Sequence, residues 1–444
     1  MERNDPRYQA YVEILKEELI PAMGCTEPIA LAYAAAKARE VLGVLPDSVQ
    51  LQVSGSIIKN VKSVIVPNTG HLKGMEAAVA AGIIAGSAEK ELEVISEVSE
   101  EKKSAIRDYL QTVPITIEHT EQGHVFDIVV TERCGQDYAR VRIADYHTNI
   151  CRIEKNGTVL YEVPLLDETV QEDARADRSL LNMQDIWDFA ETADLRDVAD
   201  LLERQIRYNN AIAEEGLLGD YGANIGRVLL TTYGNDVSNR AKAKAAAGSD
   251  ARMNGCELPV IINSGSGNQG ITCSVPLIEY AKELHSGKEK LYRALIISNL
   301  VAIHEKTGIG TLSAYCGAVS AGAGAGAGIV YLCGDGYQAA IHTVVNALAI
   351  VSGIVCDGAK ASCAAKIASS VDAALLGYNM YKCNQEFKGG DGIVMKDIET
   401  TIKGIGRLGK DGMRQTNEEI IRLMMSLAAE PASQKSYKTF FILS

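Results

Sequence analysis

Two thiols, Cys356 and Cys363, stand seven residues apart in IVCDGAKASC (354–363), on either side of an Asp357-Gly358 turn. ALAIVSGIV reads as helical with Cys356 at its end, and, flanking the turn that follows, the two thiols can converge on one object. A structural zinc ion takes four ligands and normally uses tighter pairs, two cysteines separated by two to four residues. No second tight pair is present, and the seven histidines show no paired spacing. An iron–sulfur cluster is larger than one ion and tolerates looser spacing. Cys316, in LSAYCG at the start of a Gly/Ala-rich helix, offers a third thiol. A free cysteine is also simply a small apolar residue, so the trio alone leaves a structural role open.

Cys25 has different surroundings. In AMGCTEP it precedes Thr26, the expected N-cap of a helix with Pro28 in its first turn. Backbone N–H groups and the helix dipole at such a start lower a thiol's pKa, an effect that Glu27 opposes. NSGSGNQGIT (263–272) is a Gly-rich loop between an apolar strand-like segment and a helix, with Ser264, Ser266, Asn268 and Gln269 as polar side chains. Exposed N–H groups in such loops cradle phosphates or carboxylates. No Gly-Lys-Ser/Thr follows, so this is not a Walker loop. It is similar to the phosphate cup of pyridoxal-phosphate lyases, but no lysine occupies the setting those enzymes use for a Schiff base.

Three smaller polar clusters remain: Ser54, Ser56, Lys59 and Asn60 in SGSIIKN, His147, Thr148 and Asn149 in YHTN, and Asp250 with Arg252 in GSDARMNG. Turn or surface chemistry explains most isolated clusters. An arginine is nonetheless the natural fork for a carboxylate.

The elements that must hold these residues fall into two groups. Residues 1–170 read as a small α/β lobe. It has an acidic amphipathic first helix, a second helix stopped by Gly43, and an alternating segment SVQLQVSGSIIKNVKSVIVP that suggests paired strands. A small-residue helix GMEAAVAAGIIAG follows, then a run of strands with hairpin signals, Asn156-Gly157 among them. An acidic, irregular linker at about 165–180 leads into residues 171–432, where the pattern is helical, and 433–444 reads as a tail. The fold class expected is α+β: a mostly antiparallel or mixed sheet lobe, plus a larger all-helical lobe. The uncharged run 307–334 is long enough to suggest a membrane hairpin, but its Gly, Ala and Ser contribute little transfer energy and suit close helix packing in a core.

A net charge of −13 argues against nucleic acid and anionic membrane as partners. The N-terminus does not read as a signal peptide. The expectation is therefore a cytoplasmic protein whose ten cysteines stay reduced, which favours metal binding or catalysis over disulfides. Extensive Gly/Ala helix surfaces make a homodimer plausible.

Taken together, GCTEP, the Ser/Lys-Asn segment, HTNI, SDARM, SGSGNQGIT, LSA.C and CDGA..SC resemble, in this order, the L-cysteine desulfidases, which are related to the α chain of the iron–sulfur L-serine dehydratases. The resemblance runs from about residue 8 to 430 and departs at Ser56, where relatives usually have Asn. It implies that Cys316, Cys356 and Cys363 hold a 4Fe-4S cluster with one iron left open for substrate. It also implies that Cys25 is the base that removes the Cα proton during β-elimination of L-cysteine. Arg252 and the loop 264–270 are then candidates for the substrate carboxylate, with Ser54, Ser56, Lys59, Asn60 and His147 as further contacts. The rival readings are the same elimination on L-serine, a pyridoxal-phosphate lyase, and a non-catalytic iron–sulfur sensor or redox partner.

Overall fold

The computed structural model describes residues 1–120, 124–165, 175–310 and 312–429. Asp5 caps the first helix, α1 (Pro6–Glu18), by accepting from the Arg7 N–H at 2.9 Å. That helix sets Tyr8 and Tyr11 edge-on against Phe189, with ring centroids 5.1 and 5.4 Å away. A three-residue strand, β1 (Pro21–Met23), leads into α2 (Thr26–Leu42), which ends as expected at Gly43 with φ of 85°.

The alternating segment divides. Its first half is β2 (Ser48–Ser54), but its second half is a helix, α3 (Gly55–Val61), where the sequence suggested a second strand. Ile57, Ile58 and Val61 fit a helical stripe as well as an alternating one, and a run this short cannot distinguish the two periods. Two more helices, α4 (Gly74–Ala85) and α5 (Glu100–Thr112), complete the crossover to β3 (Ile115–Thr120), which pairs parallel to β2. The meander β4 (Asp127–Cys134), β5 (Asp137–Ala144), β6 (Ile150–Lys155) and β7 (Thr158–Glu162) is antiparallel. The sheet order is β3-β2-β4-β5-β6-β7. Asn156 and Gly157 turn the last hairpin with φ of 50° and 82°, the positive pair a tight hairpin needs.

From residue 183 onward the described chain is almost wholly helical: α6 (Met183–Thr192), α7 (Ala199–Leu218), α8 (Ile225–Tyr233) and α9 (Val237–Met253), then a short strand β8 (Pro259–Ile261), then α10 (Gly267–Glu283), α11 (Lys288–Ile309), α12 (Gly317–Cys333), α13 (Tyr337–Val351), α14 (Ser362–Lys382), α15 (Ile398–Arg407) and α16 (Arg414–Ala429). The fold is α+β. Helix α12, the Gly/Ala-rich one, sits between α10, α11, α13 and α14. A Cβ on Gly322 would lie 2.7 Å from the Ser370 backbone, and one on Gly324 would lie 2.4 Å from the Ser298 carbonyl oxygen. The Gly/Ala-rich part of the uncharged run, α12, is therefore core, and among the described residues no helix is long and apolar enough to cross a membrane. Residues 166–174 of the expected linker and the whole expected tail, 433–444, lie outside the described residues.

One small feature positions the site. β1 and β8 pair antiparallel, Pro21 opposite Ile261 and Met23 opposite Pro259. The pairing brings the chain entering α2 beside the chain entering the Gly-rich loop, although they are far apart in sequence.

Candidate active site

Cys25 itself occupies the N-cap position of α2, with φ of −77° and ψ of 133°, and Thr26 is the first helical residue. This corrects the expected cap by one position. The Thr26 hydroxyl turns away from the helix, 3.0 Å from the Gly265 carbonyl and 3.2 Å from Glu27 Oε2. The expected low pKa of Cys25 is also corrected. Burial pushes the thiol well above its ordinary value and the Glu27 charge pushes it further, with Arg252 acting the other way. Cys25 is 2% exposed, and its thiol donates to Glu27 Oε2 at 2.9 Å.

Glu27 is the centre of this wall. Its Oε1 accepts from Asn60 Nδ2 at 3.1 Å and lies 4.0 Å from His147 Nε2. Burial alone would raise its carboxyl, but His147, the bond from Cys25, the backbone and Arg252 outweigh it and hold the group below the usual range. His147 packs edge-on to Phe126, and burial pulls its ring below the usual imidazole range, with Glu27 opposing the shift.

The Gly-rich loop turns at Ser264 and Gly265, with φ of 48° and 74°, and an isolated bridge closes Asn263 on Ser266. Arg252, at the end of α9, donates from Nη1 to Asn268 Oδ1 at 3.2 Å and lies flat against Gly267, where a Cβ would come 2.2 Å from its Nε. Three buried polar atoms here have no hydrogen-bond partner: His147 Nε2, Arg252 Nε and Gln269 Oε1. Unpaired buried polar atoms are costly, and a cluster of them marks a place built for something else to bind. Asp250 belongs elsewhere. It caps the start of α8, accepting from the Ile225 N–H at 2.7 Å, and burial pushes its carboxyl up to about 6.

The three other thiols share a second wall. Cys316 is the N-cap of α12. Tyr315 bridges antiparallel to Val355, with the Cys316 N–H donating to Ile354 O at 3.1 Å and the Cys356 N–H to Ala314 O at 2.6 Å. Cys356 thus lies in an extended bridge and not at the end of a helix, because α13 already stops at Val351. Ala361 is the cap of α14 and Ser362 its first residue, so Cys363 falls in the first turn. Gly358 turns the chain with φ of 96°, and a Cβ there would lie 2.2 Å from the Lys59 carbonyl oxygen. No other residue fits this turn. Burial pushes the Cys316 thiol up to about 12, with Cys356 and Cys363 adding to the effect.

Lysines surround this second wall. Lys59 Nζ donates to Asn417 Oδ1 at 2.7 Å and reaches the Cys356 carbonyl at 3.4 Å. Lys366 donates to Val355 O at 2.9 Å and pairs with Asp357. Lys306 donates to Gly310 O at 2.6 Å; burial lowers its ammonium to about 8 while Cys356 and Cys316 oppose the shift.

Both walls line one cavity of about 1510 Å³. Cys25, Asn60, His147, Arg252, Ser264, Ser266, Asn268, Gln269, Cys316, Cys356 and Cys363 all reach it, as do Glu27 and Lys306. Three expected contacts are not among its lining residues. Ser54 donates to Val125 O at 2.8 Å, Ser56 is buried on α3, and Lys59 stands behind the wall. Sequence reasoning gave Glu27 only a secondary part and passed over Lys306, because an acid in a first turn and a lysine in a last turn ordinarily answer the helix dipole. Among the described residues, no three His, Cys, Asp or Glu side chains converge closely enough to hold a single metal ion.

A family model described as serine dehydratase alpha chain matches residues 89–422, which include the Gly-rich loop and all three thiols of the second wall. The chain belongs to that family. It is 61% identical over 426 residues to a UPF0597 protein of Desulfitobacterium hafniense, covering 96% of this chain and 99% of the relative. A UPF0597 protein of Lachnoclostridium phytofermentans is 52% identical, covering 94% of this chain and 100% of the relative, and one of Treponema denticola is 46% identical, covering 96% and 100%. Membership of the serine dehydratase family points to a dehydratase-type lyase.

Proposed function

We propose that this protein catalyses iron–sulfur-dependent β-elimination of L-cysteine to hydrogen sulfide, pyruvate and ammonia. The observation that carries the reading is the single cavity joining the Cys25–Glu27 pair to three free thiols on the facing segments. The donor set suits a 4Fe-4S cluster: three soft thiols mounted on a bridge and two helix starts, without the close convergence a single ion needs. Cys316, Cys356 and Cys363 would hold it. When bound, the cluster supplies an iron without a protein ligand, a Lewis acid that polarises the group leaving Cβ.

The chain's own residues do the rest. The Arg252 guanidinium, with a free Nε, and the amides of the Gly-rich loop receive the substrate carboxylate. Cys25 takes the Cα proton. The aminoacrylate released then tautomerises and hydrolyses without further catalysis. L-Serine is the second reading, favoured by the family match, with hydroxide leaving in place of hydrosulfide. Iron softness favours the thiol substrate.

The test is iron and acid-labile sulfide on anaerobically reconstituted protein, followed by turnover of L-cysteine and L-serine in parallel. About four of each per chain, with turnover of L-cysteine ahead of L-serine, supports the reading. Faster L-serine turnover selects the second. No specific iron uptake removes both.

A further inference from the structure

The buried acids of this chain fall into distinct kinds. Glu279 is neutralised by lysines at 2.8 and 3.2 Å, and Glu18 is paired with Arg175 and Arg178. Glu132 and Glu305 have both carboxylate oxygens unpartnered, and burial pushes their carboxyls well above the usual range. Glu27 matches none of these. It is 8% exposed, and its bonds come from a thiol, a hydroxyl and an amide. Charged or titratable groups facing it are Arg252 from α9, His147 from the β5–β6 turn, and Lys59 from α3, whose ammonium Glu27 helps to stabilise. A buried carboxylate in a cavity wall that receives three neutral donors, one of them a thiol whose proton is directed at it from 2.9 Å, is placed to accept that proton.

We propose that Glu27 is the positioning residue that takes the proton of Cys25, so that Cys25 acts as a base only while Glu27 holds it. This inference rests on Cys25 having the catalytic role assigned above. The steps balance without any oxidant. The thiol proton passes from Cys25 Sγ to Glu27 Oε2 across their 2.9 Å hydrogen bond. The thiolate takes the substrate's Cα proton, the C–H pair becomes the Cα–Cβ double bond, and the Cβ–S pair departs with hydrosulfide. Glu27 returns its proton to water, and the hydrosulfide takes one from water and leaves as hydrogen sulfide. Cys25 is then a thiol again and Glu27 a carboxylate. At rest the proton stays on sulfur, so the base is masked until substrate enters.

The experiment uses Glu27→Gln and Glu27→Asp in the full chain, with two readouts. In cluster-free protein, the pH dependence of iodoacetamide alkylation is followed at Cys25 by peptide mass spectrometry. Glu27→Gln removes the anion that helps keep the proton on sulfur, so the alkylation midpoint falls below that of the native protein. In reconstituted enzyme, kcat of Glu27→Gln at neutral pH falls about 100-fold or more with KM little changed. It recovers as pH rises along the same curve as Cys25 alkylation, because the thiol must then ionise without help. Glu27→Asp, which keeps the acid, retains part of the turnover at neutral pH. An unmoved alkylation midpoint, or a Glu27→Gln pH profile parallel to the native one, overturns the proposal. Failure of the functional reading looks different: no iron loads, or Cys25→Ala stays active, whatever the alkylation curve of Glu27→Gln shows.

Discussion

The two walls of the cavity treat their buried polar groups in opposite ways. On the α2 side, neutral donors converge on one carboxylate, Glu27, and the wall is a place to move a proton. On the other side, Cys316 and Cys363 are pushed toward their neutral forms by burial and by the neighbouring thiols, in a setting of lysines. Such thiols give up their protons to a metal centre much more readily than to water, since the metal replaces the charge that burial penalises. The lysines then offset the negative charge that three thiolates bring. The Glu27 carboxylate has its donors as it stands, whereas the three thiols are complete only when loaded.

The sharpest way to break this contrast is Cys363→Ala. Specific iron and turnover are expected to disappear together, and iron per chain after reconstitution checks it. Cys25→Ala should separate them, leaving iron content unchanged while turnover falls at least about 100-fold. A fully active variant removes Cys25 from the mechanism. Lys306→Met tests whether the cations belong to the loaded state. Without its charge the thiols hold their protons more firmly, so the cluster should still load but be lost on acidification at a higher pH. The loss should be up to about tenfold in iron affinity, the equivalent of one pKa unit, read from iron retained against pH.

The smallest effect comes from a glutamate outside the cavity that is as buried as Glu27 but has no donors. Burial raises the Glu132 carboxyl well above its ordinary value, with Arg39 opposing. Below the unfolded value of about 4.3, both states are protonated and its contribution to stability is intact. Above it the unfolded chain releases the proton while the folded one keeps it, so stability is lost as pH rises toward the folded pKa. Glu132→Gln lacks this titration. In urea unfolding the two proteins should differ increasingly between pH 5 and 7, by up to about 1.4 kcal/mol per pH unit. A constant difference would mean that burial without donors does not set the charge state, and the contrast with Glu27 would fail.

Much of the fold was legible because its signals are local. The Asn156-Gly157 hairpin, the Gly43 stop and the helix start before Pro28 need only neighbouring residues. The reading failed where a short pattern fits two periods, as at α3, and where a few residues decide whether a helix has ended, as before Cys356. The pKa of Cys25 was misjudged for a related reason. A helix start is visible in sequence, but burial behind Glu27 is not, and here burial dominates.

The sequence by itself determined the class of the protein, the helical character of residues 183–429 and the set of thiols available. Local propensity, glycine stops and residue chemistry are properties of short stretches. Only the tertiary structure decided that residues 25, 60, 147, 252, 306, 316, 356 and 363 face one space, that Lys59 stands behind it, and that Glu27 stays charged. The pairing of β1 with β8 and the bridge from Tyr315 to Val355 bring distant segments together. Charge state and cavity shape follow from what those contacts bury, which no short stretch of chain contains.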